Sequence, residues 1–196
     1  IQDMEIQNSG IEIALNYGSN IGEEFTYELG GNISSIKNTV SNSPFDILTT
    51  GAATGAGQTG ATINGYRNGE PIGTFYMKEF TGIGIDGLSQ YKDVVADGES
   101  LDNDRIAVGT ALPDVIYAFY LNFRYKKFDV GFNFNGVSGN KIYNHTAMSL
   151  FSRSQLARNL NTTDFATVFA NESNSNANEV STRYLEDGSY LRLNNA

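Results

Sequence analysis

The sequence predicts an all-β fold, and within that class a partial antiparallel transmembrane β-barrel with long extracellular loops. The stretch Asp114 to Gly136, DVIYAFYLNFRYKKFDVGFNFNG, is the first observation behind this: two apolar–polar alternating runs around a very short turn. Tyr117, Phe119, Leu121, Phe123 and Tyr125 share one face, continued after the turn by Phe128, Val130, Phe132 and Phe134. Ile116, Ala118, Tyr120, Asn122 and Arg124 fall on the other, with Asp129, Gly131, Asn133 and Asn135, because strand side chains alternate with period two. Second, each arm has roughly the nine to eleven residues that a tilted membrane-crossing strand needs, against about five or six for an ordinary strand. Third, 11 Tyr and 12 Phe accompany only 3 Pro, which suits long strands, and 21 Gly supply turns.

Composition narrows the function classes. A formal charge of -9 argues against nucleic acid, whose phosphates need clustered Lys and Arg. With no Cys there is neither a disulfide framework nor a thiolate metal site. No apolar run approaches the roughly twenty residues of a membrane helix. The chain offers too few strands to close a barrel, and a barrel must close to satisfy its edges. Residues 1–196 therefore read as a fragment of one barrel domain.

Taken in order, Ile11, Ile13, Leu15 and Tyr17 alternate with Glu12, Ala14 and Asn16 in a first strand. A short turn at Ser19–Glu23 leads to a second, in which Phe25, Tyr27, Leu29, Gly31 and Ile33 alternate with Thr26, Glu28, Gly30, Asn32 and Ser34. Hairpins are thus expected at about 6–35 and 114–137. Barrels of this type have short periplasmic turns and long outer loops, so about 36–113 and 138–187 are expected outside. Tyr17, Tyr27, Tyr117 and Tyr125 sit near strand ends, where aromatic girdles belong. Within the first outer segment, Thr49 to Gly60 reads as a mobile surface loop, Asn64-Gly65 and Asn68-Gly69 as turns, and Pro71 to Phe80 as extended. In the second, Met148 to Leu160 spaces Leu150, Phe151, Leu156 and Leu160 as a short amphipathic helix, and Ser189 to Asn194 begins another strand.

The most chemically suggestive residues are acidic. Counting Asp93 as position 1 of a calcium loop puts Asp97 at 5, Gly98 at 6, Glu99 at 7 and Asp104 at 12, while Val95 at 3 supplies no oxygen. Asp93, Asp97, Glu99 and Asp104 are the calcium candidates; an acidic turn that holds its own backbone N–H groups is the alternative. Glu12 and Glu28 are placed to face each other across the first hairpin, as lumen lining. His145 is the only histidine, and no nucleophile accompanies it, so no catalytic residue is assigned. Ser34-Ser35-Ile36-Lys37 has the S-x-x-K spacing of penicillin-binding enzymes without its companion motifs.

The order of segments resembles SusC/RagA-like TonB-dependent outer-membrane receptors. The resemblance is carried by Ile11-Glu12-Ile13-Ala14-Leu15-Asn16-Tyr17, by Gly31 to Val40, by Gly69-Glu70-Pro71-Ile72-Gly73-Thr74-Phe75-Tyr76, and by the acidic block from Tyr91 to Arg105. Pro113-Asp114, Phe128-Asp129, Gly139-Asn140 and Ser189 to Asn195 continue the series. The acidic block departs from the family pattern at Val95-Ala96 and Ser100-Leu101, which weakens a calcium site. The resemblance implies a piece of the C-terminal barrel of a transporter in the outer membrane of a Gram-negative, Bacteroidetes-type bacterium. It implies a plug domain and TonB contact elsewhere in the protein, a SusD-like surface lipoprotein as partner, and glycans, oligosaccharides or peptides as cargo. Glu12, Glu28, Asn122, Arg124, Asn133 and Asn135 are then the positions to line the passage. The rival expectation is a secreted soluble β-sandwich binding module with a calcium-stabilised loop, in which the Phe128, Val130, Phe132 and Phe134 face packs on a second sheet.

Overall fold

The computed structural model describes residues 3–53, 61–99, 102–151, 153, 169–177 and 179–196. In chain order the strands are β1 (Glu5–Ile21), β2 (Phe25–Ser41), β3 (Leu48–Ala53), β4 (Ala61–Tyr66), β5 (Thr74–Met77), β6 (Phe80–Ile83), β7 (Ser89–Tyr91), β8 (Ile106–Thr110), β9 (Val115–Tyr125), β10 (Phe128–Ser138), β11 (Lys141–Tyr143), β12 (Leu185–Asp187) and β13 (Tyr190–Asn195), with one helix, α1 (His145–Leu150). They form two parts, a tall wall and a lobe at one of its ends.

The wall is a five-stranded antiparallel sheet in the order β1-β2-β9-β10-β13, open rather than closed on itself. Its register brings the alternating faces together as expected. Tyr17, Leu29, Leu121 and Phe132 lie side by side, and so do Leu15, Gly31, Phe119, Phe134 and Leu193. Among the described residues nothing covers this face: Ile11 is 70% exposed, Leu15 73% and Phe128 76%. A sandwich would bury these side chains against a second sheet, and no such sheet exists among the described residues. Aromatic rings cluster toward the tight turns, with Phe25 stacked on Phe123 (6.3 Å) and Tyr17 tilted against Tyr27 (5.9 Å). The two turns share a rim: Lys126 N donates to Glu24 O (2.9 Å), and its ammonium pairs with the Glu24 carboxylate (3.1 Å).

The first hairpin is longer than the sequence pattern suggested. β1 and β2 have 17 residues each and pair from Ile21–Phe25 through to Glu5–Ser41. The physical reason is a change of sides. From Ile11 to Ile21 the outer face of β1 is apolar at every alternate position except Ser19; beyond it come Ser9, Gln7 and Glu5. On β2 the same face goes from Ile33 to Ser35, Lys37 and Thr39. The inner face reverses in compensation, to Ile6, Ile36 and a fully buried Val40. An outward apolar band eleven residues long matches a bilayer crossing of about nine to eleven tilted residues; above it the wall is wet outside and greasy inside.

The lobe is built from both expected loop segments, and it has a core. β3-β4-β5-β8 form an antiparallel sheet, with two-stranded sheets β6-β7 and β11-β12 beside it. All four residues of β5 are buried. Phe75 and Met77 pack with Ala147 and Met148 of α1 and with Val180 and Tyr184. A parallel bridge joins Lys78 to Ser181, and Thr182 N donates to Lys78 O (3.0 Å). Arg183 donates to both carboxylate oxygens of fully buried Glu172 (2.8 Å each), and its guanidinium lies 5.3 Å from the rings of Phe80, Phe169 and Tyr184.

Several local expectations change. Thr49 to Ala53 is not loop but β3, paired with β4; Gly55 and Gly57 lie outside the described residues. Asn64-Gly65 lies within β4, where both residues pair with β5, whereas Asn68-Gly69 does turn, with Gly69 at φ +89°. The helix occupies His145–Leu150 rather than beginning at Met148, because the Asn144 side chain accepts from Ala147 N (2.8 Å) and caps it. Leu156 and Leu160 lie outside the described residues.

Candidate functional site

The inner face of the wall gathers the polar residues, and pairing fixes which of them meet. Nearest the tight turns lie Asn20, Thr26, Arg124 and Asp129 in one row, then Gly18, Glu28, Asn122 and Gly131. Next come Asn16, Gly30, Tyr120 and Asn133, then Ala14, Asn32, Ala118, Asn135 and Arg192. Glu12 sits opposite Ser34 one row further, just below the apolar patch of Ile36 and Ile6. Glu12, Glu28, Asn122, Arg124, Asn133 and Asn135 therefore all share this face. Glu12 and Glu28 do not oppose each other, as the sequence had suggested. Glu28 pairs with Gly18, six residues along β1 from Glu12, about 20 Å at the rise of a strand.

Three environments follow along the face. By the turns, Thr26, Glu28, Asn122, Arg124 and Asp129 line a charged hollow of about 290 Å³, in which Arg124 Nε donates to Asp129 Oδ1 (2.6 Å). In the middle, Asn16, Asn32, Tyr120, Asn133, Asn135 and Asn194 line a hollow of about 420 Å³ that contains no Asp, Glu, Lys, Arg or His. Beneath the lobe, Ile6, Ile36, Ile116, Ile72 and Leu112 line an open cavity of about 970 Å³, edged by Asn8 and Asn38. Asn38 ties wall to lobe there, donating to Asn8 Oδ1 (2.6 Å) and accepting from Ile72 N (2.8 Å).

Two tyrosines of β9 brace the wall in opposite directions. On the inner face the Tyr120 ring lies against the bare backbone of Gly30, where an added Cβ would stand 2.6 Å from Cζ, and its hydroxyl donates to Asn16 Oδ1 (3.2 Å). On the outer face Tyr117 lies against Gly136, with the corresponding approach 2.6 Å to Cε2, and its hydroxyl donates to Tyr190 O (3.1 Å). Each ring thereby spans three strands. Sequence reasoning placed Tyr120 on the polar face without assigning it a role; its partner Gly30 lies on the other hairpin, and only the β2–β9 pairing brings the two together.

The carboxylates of the acidic loop hold the loop's own backbone. Asp93 accepts from Ala96 N (2.6 Å) and Gly98 N (2.9 Å). Fully buried Asp104 accepts from Val94 N (2.7 Å) and Val95 N (3.0 Å). Asp97 accepts from Glu99 N (3.1 Å) and Asn103 Nδ2 (3.1 Å), and the Glu99 residue is exposed. Among the described residues no three His, Cys, Asp or Glu side chains converge as a metal set. In this arrangement Asp93, Asp97 and Asp104 each spend carboxylate oxygens on backbone N–H groups, the role of an acidic turn that holds its own backbone. His145 opens α1.

No protein-family model matches the sequence. Two curated proteins of Formosa agariphila do: TonB-dependent receptor P3 is 30% identical over 97% of this chain, and TonB-dependent receptor P26 is 26% identical over 96%. The chain spans about a fifth of the length of these relatives, 21% in each case. Among solved structures, the RagAB peptide transporter superposes over 96% of the chain with a TM-score of 0.73 at 15% identity. The RagAB peptide importer in its closed-closed state gives 0.77 at 17% identity. The fold is that of a barrel portion of these transporters.

Proposed function

For a chain that belongs to the TonB-dependent receptors, we propose the role of wall and outer lobe in an outer-membrane importer of nutrients. The supporting observation is the uncovered apolar band on the outer face of the wall, eleven residues long on β1, with polar residues beyond it. Lipid is the solvent that such a band requires. The tight turns then face the periplasm, the lobe faces outward, and the inner face borders the path of the cargo. The chain contributes no bond-breaking chemistry. It binds and guides, while the energy enters through TonB acting on the N-terminal part of the full receptor.

The cargo in this proposal is an oligosaccharide or a peptide, delivered by a SusD-like lipoprotein that docks on the lobe side. A polar, largely uncharged mid-wall suits a neutral cargo that exchanges hydrogen bonds as it moves, and the charged hollow near the turns suits contact with other parts of the receptor.

Because this stretch has no cysteine, single substitutions report its topology in a receptor whose remaining cysteines, if any, are replaced by serine. Asn68→Cys in the lobe is expected to react with a membrane-impermeant maleimide on intact cells. Glu23→Cys in the tight turn is expected to react only after the outer membrane is permeabilised. Equal labelling of both on intact cells overturns the orientation, and recovery of the receptor in a soluble fraction overturns the membrane reading.

A further inference from the structure

We infer that the mid-wall hollow around Tyr120 is a subsite for a sugar ring. This rests on reading the inner face as the path of the cargo. Three features point to the ligand class. The hollow, of about 420 Å³, presents five carboxamides and one phenol, with no charged side chain among its lining residues. A carboxamide both donates and accepts, as a sugar hydroxyl does, so the two can exchange paired hydrogen bonds. The second feature is the placing of Tyr120: Gly30 leaves room for its ring to lie along the wall, and Asn16 holds its hydroxyl. The ring is thus a fixed flat surface inside a transport path, rather than a side chain that must be ordered when a ligand arrives. A pyranose has a C–H face that packs on an aromatic plane while its hydroxyls point sideways, toward Asn32, Asn133 and Asn135. The third feature is Asn135 Oδ1, which is shut off from solvent and has no hydrogen-bond partner among the described residues. A buried acceptor left unmatched is costly, and rotation of the Asn135 carboxamide toward the hollow that it lines lets a sugar hydroxyl donate to it.

A peptide is the competing occupant. Its backbone N–H groups also match carboxamides, and Arg192, opposite Asn135, could meet a terminal carboxylate, but no residue lining the hollow itself carries a charge, and a tyrosine plane offers an extended backbone little face-to-face contact. The geometry therefore favours the sugar.

The test uses the full-length receptor in detergent, with maltotriose, xylotriose and trialanine as probes in saturation-transfer NMR. At least one of the sugars is expected to receive saturation at its ring C–H protons. Tyr120→Leu is expected to weaken that sugar's binding about two- to tenfold, the range of an aromatic contact, while Tyr120→Phe retains most of it. Asn133→Ala, on an exposed position of the same hollow, gives an independent reading should Tyr120→Leu fail to fold. The inference is overturned if neither sugar receives saturation, if trialanine alone does, or if the sugar signal is untouched by Tyr120→Leu and Asn133→Ala. A receptor found in the outer membrane that imports peptide but gives no sugar signal sinks the subsite and leaves the import reading intact. A receptor absent from the outer membrane sinks both.

Discussion

Leu15 and Ala14 are adjacent in β1 and face opposite sides of the wall, which makes them a matched pair for testing what each side touches. Leu15 lies near the middle of the outer apolar band and is 73% exposed. If that side met water, Leu15→Arg would be a surface change, within about 0.5 kcal/mol of the parent. If it meets hydrocarbon, an Arg near the midplane costs about 2–4 kcal/mol, roughly thirty- to eight-hundredfold in the folding equilibrium. Ala14→Arg places the same charge on the inner face, opposite Asn32, where water reaches it and the cost is expected to stay within about 0.5 kcal/mol. The assay is urea-dependent refolding of the full receptor into lipid vesicles, with the folded fraction read by heat-modifiable electrophoretic mobility. A neutral Leu15→Arg, or an Ala14→Arg that costs as much, refutes the assignment of the two faces.

Other consequences concern the lobe and the braces. Glu172→Gln leaves the buried Arg183 guanidinium without its counter-charge and is expected to destabilise the lobe by about 3–5 kcal/mol, seen as faster proteolysis within it; joint replacement by Glu172→Leu and Arg183→Met recovers much of the loss. Burial pushes the Tyr91 phenol up to about 12. A raised tyrosine pKa means that the fold favours the neutral phenol, so its stabilisation is complete below about pH 10 and is lost as pH rises through about 12. Alkaline titration followed by phenolate absorbance should show late ionisation together with opening of the lobe. Gly30→Ala forces a methyl against Asn16 Oδ1 and the Tyr120 ring that Asn16 holds and should cost about 1–3 kcal/mol. In a double-mutant cycle with Tyr120→Ala the two costs should fall well short of adding, and additivity to within about 0.5 kcal/mol argues against the brace.

Much of the wall was legible because an alternating face exposed to lipid keeps its pattern over ten residues. That gave β9, β10, β13 and the lower part of β1 and β2, and it placed all six lining candidates on one side. The upper part of the first hairpin was not legible, since the apolar side changes at Gly10 and Ile36 and a search for one continuous face stops there. Glu12 and Glu28 were misjudged for a related reason: sharing a face is a matter of parity, whereas facing each other depends on register, which only the pairing reveals. The lobe escaped because its core joins Phe75 and Met77 to Met148 and Tyr184, residues separated by two whole wall strands. The acidic loop left two readings open in the sequence, a cation site and a turn that holds its own backbone. Its spacing suits a cation, yet spacing says nothing of where carboxylates aim, and here Asp93 and Asp104 hold the loop's own backbone.

The shared core of the lobe has a consequence for any attempt to move binding properties between receptors. Segments on either side of the β9–β10 hairpin complete one another: Thr182 hydrogen-bonds to Lys78, Phe80 N donates to the Thr182 hydroxyl, and Asn176 accepts from Ser89 N. A chimera that imports only one excursion exchanges half of an interior and leaves the remainder facing foreign side chains. The unit that can be grafted whole is the pair, carried together across an unchanged hairpin.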